Sequence, residues 1–328
     1  MYTAKITAVG CHTPPGVLTN HDLSQMVETS DEWILERTGI RERHIAAPDI
    51  ATSDMAVEAA KIALCNAGVA ATDLDTVIVC TVTPDMFFPS TACLVQDRIG
   101  AKGAWGFDLI AACSGFVYGL TTAAQFVRAG SHKKVLVIGA DTMSRIIDYK
   151  DRATCVLFGD GAGAMLVERA NDGESGFIDF QNEIDGSGGE YLKMPAGGSR
   201  MPPSCETVEK RLHYVKQDGS QVFKYAVRKM SELCTQLLER NNLRPDQLGC
   251  MIPHQANRRI VSAVADRLGI ADKVIVNIEK YGNTTAATIP LATRDALESG
   301  RLKKGDYVLF AAVGAGYTAG TNLWRWEF

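Results

Sequence analysis

Apolar residues along this chain follow two periodicities that take turns. Short apolar runs, rich in β-branched residues, recur at Val77–Cys80, Val135–Ile138, Cys155–Phe158, Ala164–Val167, Cys250–Ile252, Val274–Val276 and Tyr307–Ala312. Each reads as a strand buried on both faces. Helically spaced stretches alternate with many of them: Ser53–Ala67, Thr91–Arg98, Ser114–Ala129, Gln221–Asn241, Arg258–Leu268 and Ile289–Ser299. The alternation predicts an α/β protein whose sheets are covered by helices. One helix differs from the others. From Cys113 to Val127 no side chain is charged. Phe116, Leu120, Ala123 and Val127 keep helical spacing, while Val117, Ala124 and Phe126 fill much of the remaining surface. A helix apolar nearly all round belongs inside a large core.

The pattern also repeats. Cys113 opens a helix that ends at Ala129-Gly130 and is followed by Lys133-Lys134 and an apolar strand. Asn283 precedes a helix that ends at Ser299-Gly300 and is followed by Lys303-Lys304 and another apolar strand. Both members of this second set lie 170 residues beyond the first. Two similar α/β halves follow, residues 1–170 carrying the cysteine and 171–328 carrying the histidine and asparagine discussed below. The loop-forming run Arg169-Ala-Asn-Asp-Gly-Glu-Ser-Gly176 joins them. Packed about a pseudo-twofold axis, Cys113 and Asn283 would occupy equivalent places.

Composition narrows the class. The 328 residues are 46% hydrophobic and 22% charged, as in an ordinary globular protein with room for a large core. The formal charge of -4 argues against generic nucleic-acid binding. Nine scattered cysteines, without a Cys-x-x-Cys pair, form neither a disulfide framework nor a zinc site, and fit a reducing cytoplasm. The N-terminus lacks the basic-then-apolar order of a signal peptide. No apolar run reaches the roughly 18 residues that would span a bilayer.

Candidate chemistry gathers at four places. Cys113 lies where an extended stretch enters the buried helix, so unpaired N–H groups of the first turn would favour its thiolate; against this stands the ordinary fate of cysteine as a small buried hydrophobe. His254, in Pro253-His-Gln-Ala-Asn257, directly follows a strand, where α/β ligand sites tend to form. Asn283, in Gly282-Asn-Thr-Thr, suits either a helix cap or an amide donor to a developing oxyanion. Val313-Gly-Ala-Gly316-Tyr-Thr lets backbone N–H groups approach a ligand closely, or forms a simple turn. Gly159-Asp-Gly-Ala-Gly-Ala164 precedes a strand and lacks the Lys-Ser/Thr of a P-loop, so it reads as structural.

Together, Ala-Cys113-Ser-Gly-Phe, Pro-His254-Gln-Ala-Asn, Gly-Asn283-Thr-Thr-Ala-Ala and Gly314-Ala-Gly316 resemble β-ketoacyl-acyl-carrier-protein synthase III. Thr29-Ser-Asp-Glu-Trp33 through Arg37, and Asp151-Arg152 before Phe158-Gly-Asp-Gly, extend the resemblance along essentially the whole chain. It implies a thiolase-like αβαβα sandwich, a cytoplasmic homodimer, and joining of acetyl-CoA or another short acyl-CoA to malonyl-acyl-carrier protein, with no cofactor, metal, nucleic acid or membrane. Cys113 would be acylated, with Cys113 and Gly316 N–H groups as oxyanion hole. His254 and Asn283 would serve the malonyl thioester. Thr29, Trp33, Arg37, Arg152, Gly219 and Asn257 would bind CoA, Trp33 and Arg152 facing opposite sides of the adenine. Phe88 would close the primer pocket, and its bulk suggests a short primer. Arg259 would dock the carrier protein, although Asp266 weakens a positive docking face. Competing readings are a ketosynthase or acyltransferase of secondary metabolism, a Cys-His-Asn hydrolase of the papain type, whose Cys-Gly-Ser-Cys-Trp segment is missing, and an inactive carrier-protein binder.

Overall fold

The structure, a computed structural model, describes residues 1–328 and is built on two principal sheets. The first is five-stranded, in the spatial order Ala4–His12, Gly161–Arg169, Lys134–Asp141, Thr76–Cys80, Trp105–Leu109. The last three strands are mutually parallel, and the first two are antiparallel to their neighbours. The second is four-stranded, in the order Phe177–Ile184, Thr318–Arg325, Tyr307–Gly314, Cys250–Pro253. It repeats the strand order and directions of the first four strands of its counterpart.

Between the sheets lie the helices Gly115–Arg128 and Thr288–Glu298. The first buries Phe116, Val117, Leu120, Ala123, Ala124 and Val127 in one cluster with Val135 and Val137 of the first sheet and Val308 and Phe310 of the second. Its lack of a polar face is what allows sheets on both sides. Gly163 shows how tightly the other central helix packs: a Cβ there would come within 2.5 Å of Pro290 Cγ. The small-residue run at 159–164 is therefore a seat for that helix. Outside, the helix Thr52–Ala67 covers the first sheet, while Gly219–Arg240 and Arg258–Leu268 cover the second. The layers make the αβαβα sandwich expected of a thiolase-like chain.

Two expected strands are absent. Cys155–Phe158 is interrupted by a helical turn, Arg152–Cys155, whose N-terminus is capped when Asp151 Oδ1 accepts from Ala153 N–H at 3.0 Å. Only Phe158 pairs in β fashion, through a bridge to Asn283. Val274–Val276 touches the sheet by a single bridge between Val274 and Met251. The next ladder bond would run from residue 253 to the carbonyl of Ile275, but Pro253 has no N–H, and the Gln255 amide donates to that carbonyl instead at 3.0 Å. The second sheet accordingly lacks the fifth strand of the first.

One buried carboxylate ties the halves together. Asp141, at the end of its strand, accepts from Val82 N–H at 2.8 Å and from the hydroxyls of Thr81 and Thr83 at 3.0 and 3.1 Å. Its other oxygen accepts from Ala286 N–H at 3.3 Å, across the boundary between the halves. Burial raises its pKa to about 6 despite these donors. Replacing Asp141 by Ala strands several buried donors and is expected to lower unfolding free energy by about 3–5 kcal/mol, read from denaturant titrations.

Candidate active site

Cys113 sits in the tight turn Ala112–Ser114, immediately before the central helix Gly115–Arg128. The preceding Ala112 has φ 45, a left-handed conformation uncommon for a residue with a Cβ. The second half holds the turn in place. Ser114 donates its hydroxyl to the carbonyl of Thr318 at 3.0 Å, and Thr318 donates its own to the carbonyl of Ala111 at 3.1 Å. Gly314 allows this approach, since a Cβ there would lie 2.9 Å from the Cys113 backbone nitrogen. Gly316 follows with φ 73, and Tyr317 with φ 51. Strained backbone thus brackets the thiol on both sides, as it commonly does at reactive centres.

His254 continues the strand Cys250–Pro253, and its N–H donates to the carbonyl of Ala311 at 2.8 Å. The ring is 1% exposed. Nδ1 lies 2.7 Å from the Thr288 hydroxyl, and Nε2 has no partner in the chain. Burial lowers the imidazole pKa to about 3, so the ring is neutral at physiological pH. Asn283 is held through its backbone, its N–H donating to Leu157 O at 2.8 Å and its carbonyl accepting from Gly159 N–H at 3.1 Å. Its side-chain Oδ1 accepts from Thr285 N–H at 2.9 Å, which leaves the Nδ2 group for a ligand.

Cys113, His254 and Asn283 all line one cavity of about 470 Å³. Its walls also include Trp33, Arg37, Gly219, Asn257 and Arg259, as well as Gly314, Ala315 and Tyr317, which flank Gly316. Arg152 is outside the lining, but its guanidinium lies 4.8 Å from the Trp33 ring centre and donates to Glu28 O at 2.9 Å. Arg37 approaches the same ring at 5.0 Å. An adenine between Trp33 and Arg152 therefore requires Arg152 to move aside. Thr29 is half-buried, with its hydroxyl unpartnered. Asn257 also serves the fold. It caps the Arg258–Leu268 helix by accepting from Arg259 N–H at 2.8 Å, and donates to Arg37 O at 3.0 Å. Arg259 and Asp266 are both exposed on that helix.

Phe88 departs from the expected arrangement. It is 85% exposed and does not line the cavity, because the segment that carries it lies on the surface of the chain, beside the equally bare Phe87. A second departure concerns activation. Burial raises the Cys113 thiol from 9.0 to about 12, with the Asp141 carboxylate adding to the rise and the backbone N–H of Cys113 opposing it. Burial therefore opposes the help that a helix N-terminus gives a thiolate, and favours the thiol in the free protein. Asp141 and Thr288 escape a reading of the sequence. Asp141 carries a signal, a lone carboxylate ending an otherwise apolar buried strand. Thr288 carries none, being one threonine in Asn283-Thr-Thr-Ala-Ala-Thr288.

Comparison with known proteins places this geometry in context. The family model for 3-oxoacyl-[acyl-carrier-protein (ACP)] synthase III matches residues 107–186, and that for the C-terminal part of the same family matches 238–326. The chain is 71% identical to the β-ketoacyl-[acyl-carrier-protein] synthase III of Solibacter usitatus, with all of both chains covered. It is 58% identical to the protein of that name from Koribacter versatilis, over 99% of this chain and 98% of the relative. The crystal structure of 3-oxoacyl-[acyl-carrier-protein] synthase III from Aquifex aeolicus superposes with a TM-score of 0.91 at 46% identity, covering 98% of this chain and 100% of that one.

A thiol that stays protonated makes a direct prediction. Without substrate, iodoacetamide labelling of Cys113, followed by peptide mass spectrometry, should rise about tenfold per pH unit from about pH 7 to about pH 9. A plateau reached below about pH 8 would mean that the helix terminus outweighs burial.

Proposed function

The chain belongs to the β-ketoacyl-[acyl-carrier-protein] synthase III family, and on that premise we propose how its residues divide the reaction. The protein is an acyltransferase-type condensing enzyme that initiates fatty acid biosynthesis. Its primer is acetyl-CoA or another short acyl-CoA, and its extender is malonyl-acyl-carrier protein. In the first half-reaction the Cys113 sulfur bonds to the acyl carbon and the bond from that carbon to the CoA sulfur breaks. The thiol proton leaves with CoA. The Cys113 and Gly316 N–H groups hold the tetrahedral oxyanion, and pre-placed donors of this kind are worth about 3–4 kcal/mol each.

In the second half-reaction the malonyl carboxylate leaves as CO2 and its electron pair remains as an enolate. His254 and Asn283 donate to the thioester oxygen as charge builds there. The carbanion then attacks the acyl carbon, the bond to Cys113 breaks, and the sulfur regains a proton from solvent. CO2 release drives the step, so no cofactor or metal is required. The observation that carries this reading is the status of His254: neutral, buried, with Nε2 unpartnered in the cavity that holds Cys113 and Asn283. A ring without an acidic partner suits a donor that stays uncharged better than a protease-like base.

Trp33, Arg37, Arg152, Thr29, Gly219 and Asn257 bind CoA on this reading, with Arg152 leaving the Trp33 face as adenine enters, and Arg259 meets the carrier protein. The protein acts as a cytoplasmic homodimer, its halves dividing near residues 170 and 171, where a strand ends at Arg169 and the next begins at Phe177. The bare Phe87, Phe88 and Ile110 side chains favour a second copy as their cover. Phe88 can close a primer pocket only as a contribution to that copy. No helix is long and apolar enough to cross a membrane.

Mass spectrometry after incubation with acetyl-CoA should find an acetyl adduct on the protein and none on Cys113→Ala. His254→Ala and Asn283→Ala should acylate normally but lose condensation by about 100-fold or more. Equal labelling of the wild type and Cys113→Ala would overturn the assignment. Arg152→Ala should raise KM for acetyl-CoA about fivefold with kcat little changed, as loss of one cation–π face predicts.

A further inference from the structure

A neutral imidazole has one ring proton, and the nitrogen that carries it decides whether Nε2 donates or accepts. Within the chain the His254 ring makes one hydrogen bond, that between Nδ1 and Thr288 Oγ1 at 2.7 Å. The Thr288 hydroxyl is itself buried and has a single proton. Two acceptors compete for it. Nδ1 lies at 2.7 Å, and the carbonyl of Thr285 at 3.1 Å. Both contacts are within hydrogen-bond range; Nδ1 is the nearer, and the tautomer with hydrogen on Nε2 is the one in which the hydroxyl proton points at Nδ1. In that arrangement the ring's single hydrogen belongs on Nε2, a buried atom without a partner on a ring that lines the cavity.

We propose that Thr288 is a positioning residue that holds His254 in the tautomer with hydrogen on Nε2, so that the ring can donate to the malonyl thioester oxygen. This rests on the division of the reaction proposed above. It also explains how a histidine with no carboxylate neighbour keeps a fixed proton. Thr288 begins the central helix Thr288–Glu298, five residues beyond Asn283. One stretch of chain therefore orients both donors: Asn283 through the Thr285 N–H, and His254 through the Thr288 hydroxyl. Without the hydroxyl, Nδ1 loses the donor that reserves its lone pair, and the proton can settle there. Nε2 would then present a lone pair to an oxygen that is becoming negative.

The test compares Thr288→Val, Thr288→Ser and wild type in three measurements: single-turnover acylation of Cys113 by acetyl-CoA, kcat for condensation with malonyl-acyl-carrier protein, and the 15N chemical shift of His254 Nε2 in histidine-labelled protein. Thr288→Val should lower condensation by about 100-fold, in line with the cost of a wrong tautomer or a lost oxyanion donor. Acylation should stay close to wild type, and Thr288→Ser should restore condensation. The wild-type Nε2 should show the shift of a protonated ring nitrogen, a readout independent of how well Thr288→Val folds. An unprotonated Nε2 in the wild type overturns the proposal, as does a Thr288→Val enzyme that condenses normally or loses both half-reactions equally. If the wild type condenses but His254→Ala condenses equally well, the underlying division of the reaction fails instead.

Discussion

The structure depends on burying one helix from two sides. Gly115–Arg128 has no polar face to give to water, so a sheet must cover each side of it. The first sheet cannot do this alone. Its own outer face is already taken by Thr52–Ala67, and the second sheet arrives from the other half of the chain. The second buried helix, Thr288–Glu298, packs into the same cluster through Ile289, Leu291, Ala292 and Ala296. Each central helix has a chemically important residue at or just before its start: Cys113 for the first, Asn283 and Thr288 for the second. The constraint that forms the core therefore also brings the candidate site together.

Much of this is legible in the chain. The central helix is visible because fourteen consecutive uncharged residues follow Cys113, and no surface helix has that pattern. The repeat is visible because the two central helices end in matching Gly130 and Gly300 turns before matching lysine pairs. The failures have local causes. Cys155–Phe158 has strand-like composition, but the Asp151 cap makes its beginning a helical turn. Val274–Val276 has the composition of a strand, but Pro253 on the neighbouring strand has no N–H to give Ile275 O, and the Gln255 side chain takes that acceptor. In both cases a residue outside the apolar run decides the outcome, and apolar periodicity carries no record of it. The contact between Thr288 and His254 joins residues 34 positions apart, and neither residue's neighbours mark the other.

Cys113, His254 and Asn283 are buried, and none of them carries a charge at neutral pH. Cys113 rests as a thiol, and His254 is neutral because burial penalises its cation. The nearest influential charge is the Asp141 carboxylate, which resists ionisation of the thiol and does not touch the imidazole. Such surroundings suit reactions in which charge develops briefly on substrate oxygens and is met by fixed dipoles. They suit a permanent thiolate–imidazolium pair poorly, since two charges would have to stay desolvated. The same neutrality makes hydrogen-bond direction, rather than net charge, the quantity that the surrounding residues control.

On the proposed division, acyl transfer belongs to the Cys113 turn, while decarboxylation belongs to His254 and Asn283 and needs no thiol. CO2 release from malonyl-acyl-carrier protein by Cys113→Ala, in the absence of primer, separates the two. This variant should still release CO2 and yield acetyl-carrier protein, although it forms no condensation product. Loss of CO2 release together with acylation would contradict the division and show that the thiol takes part in both half-reactions.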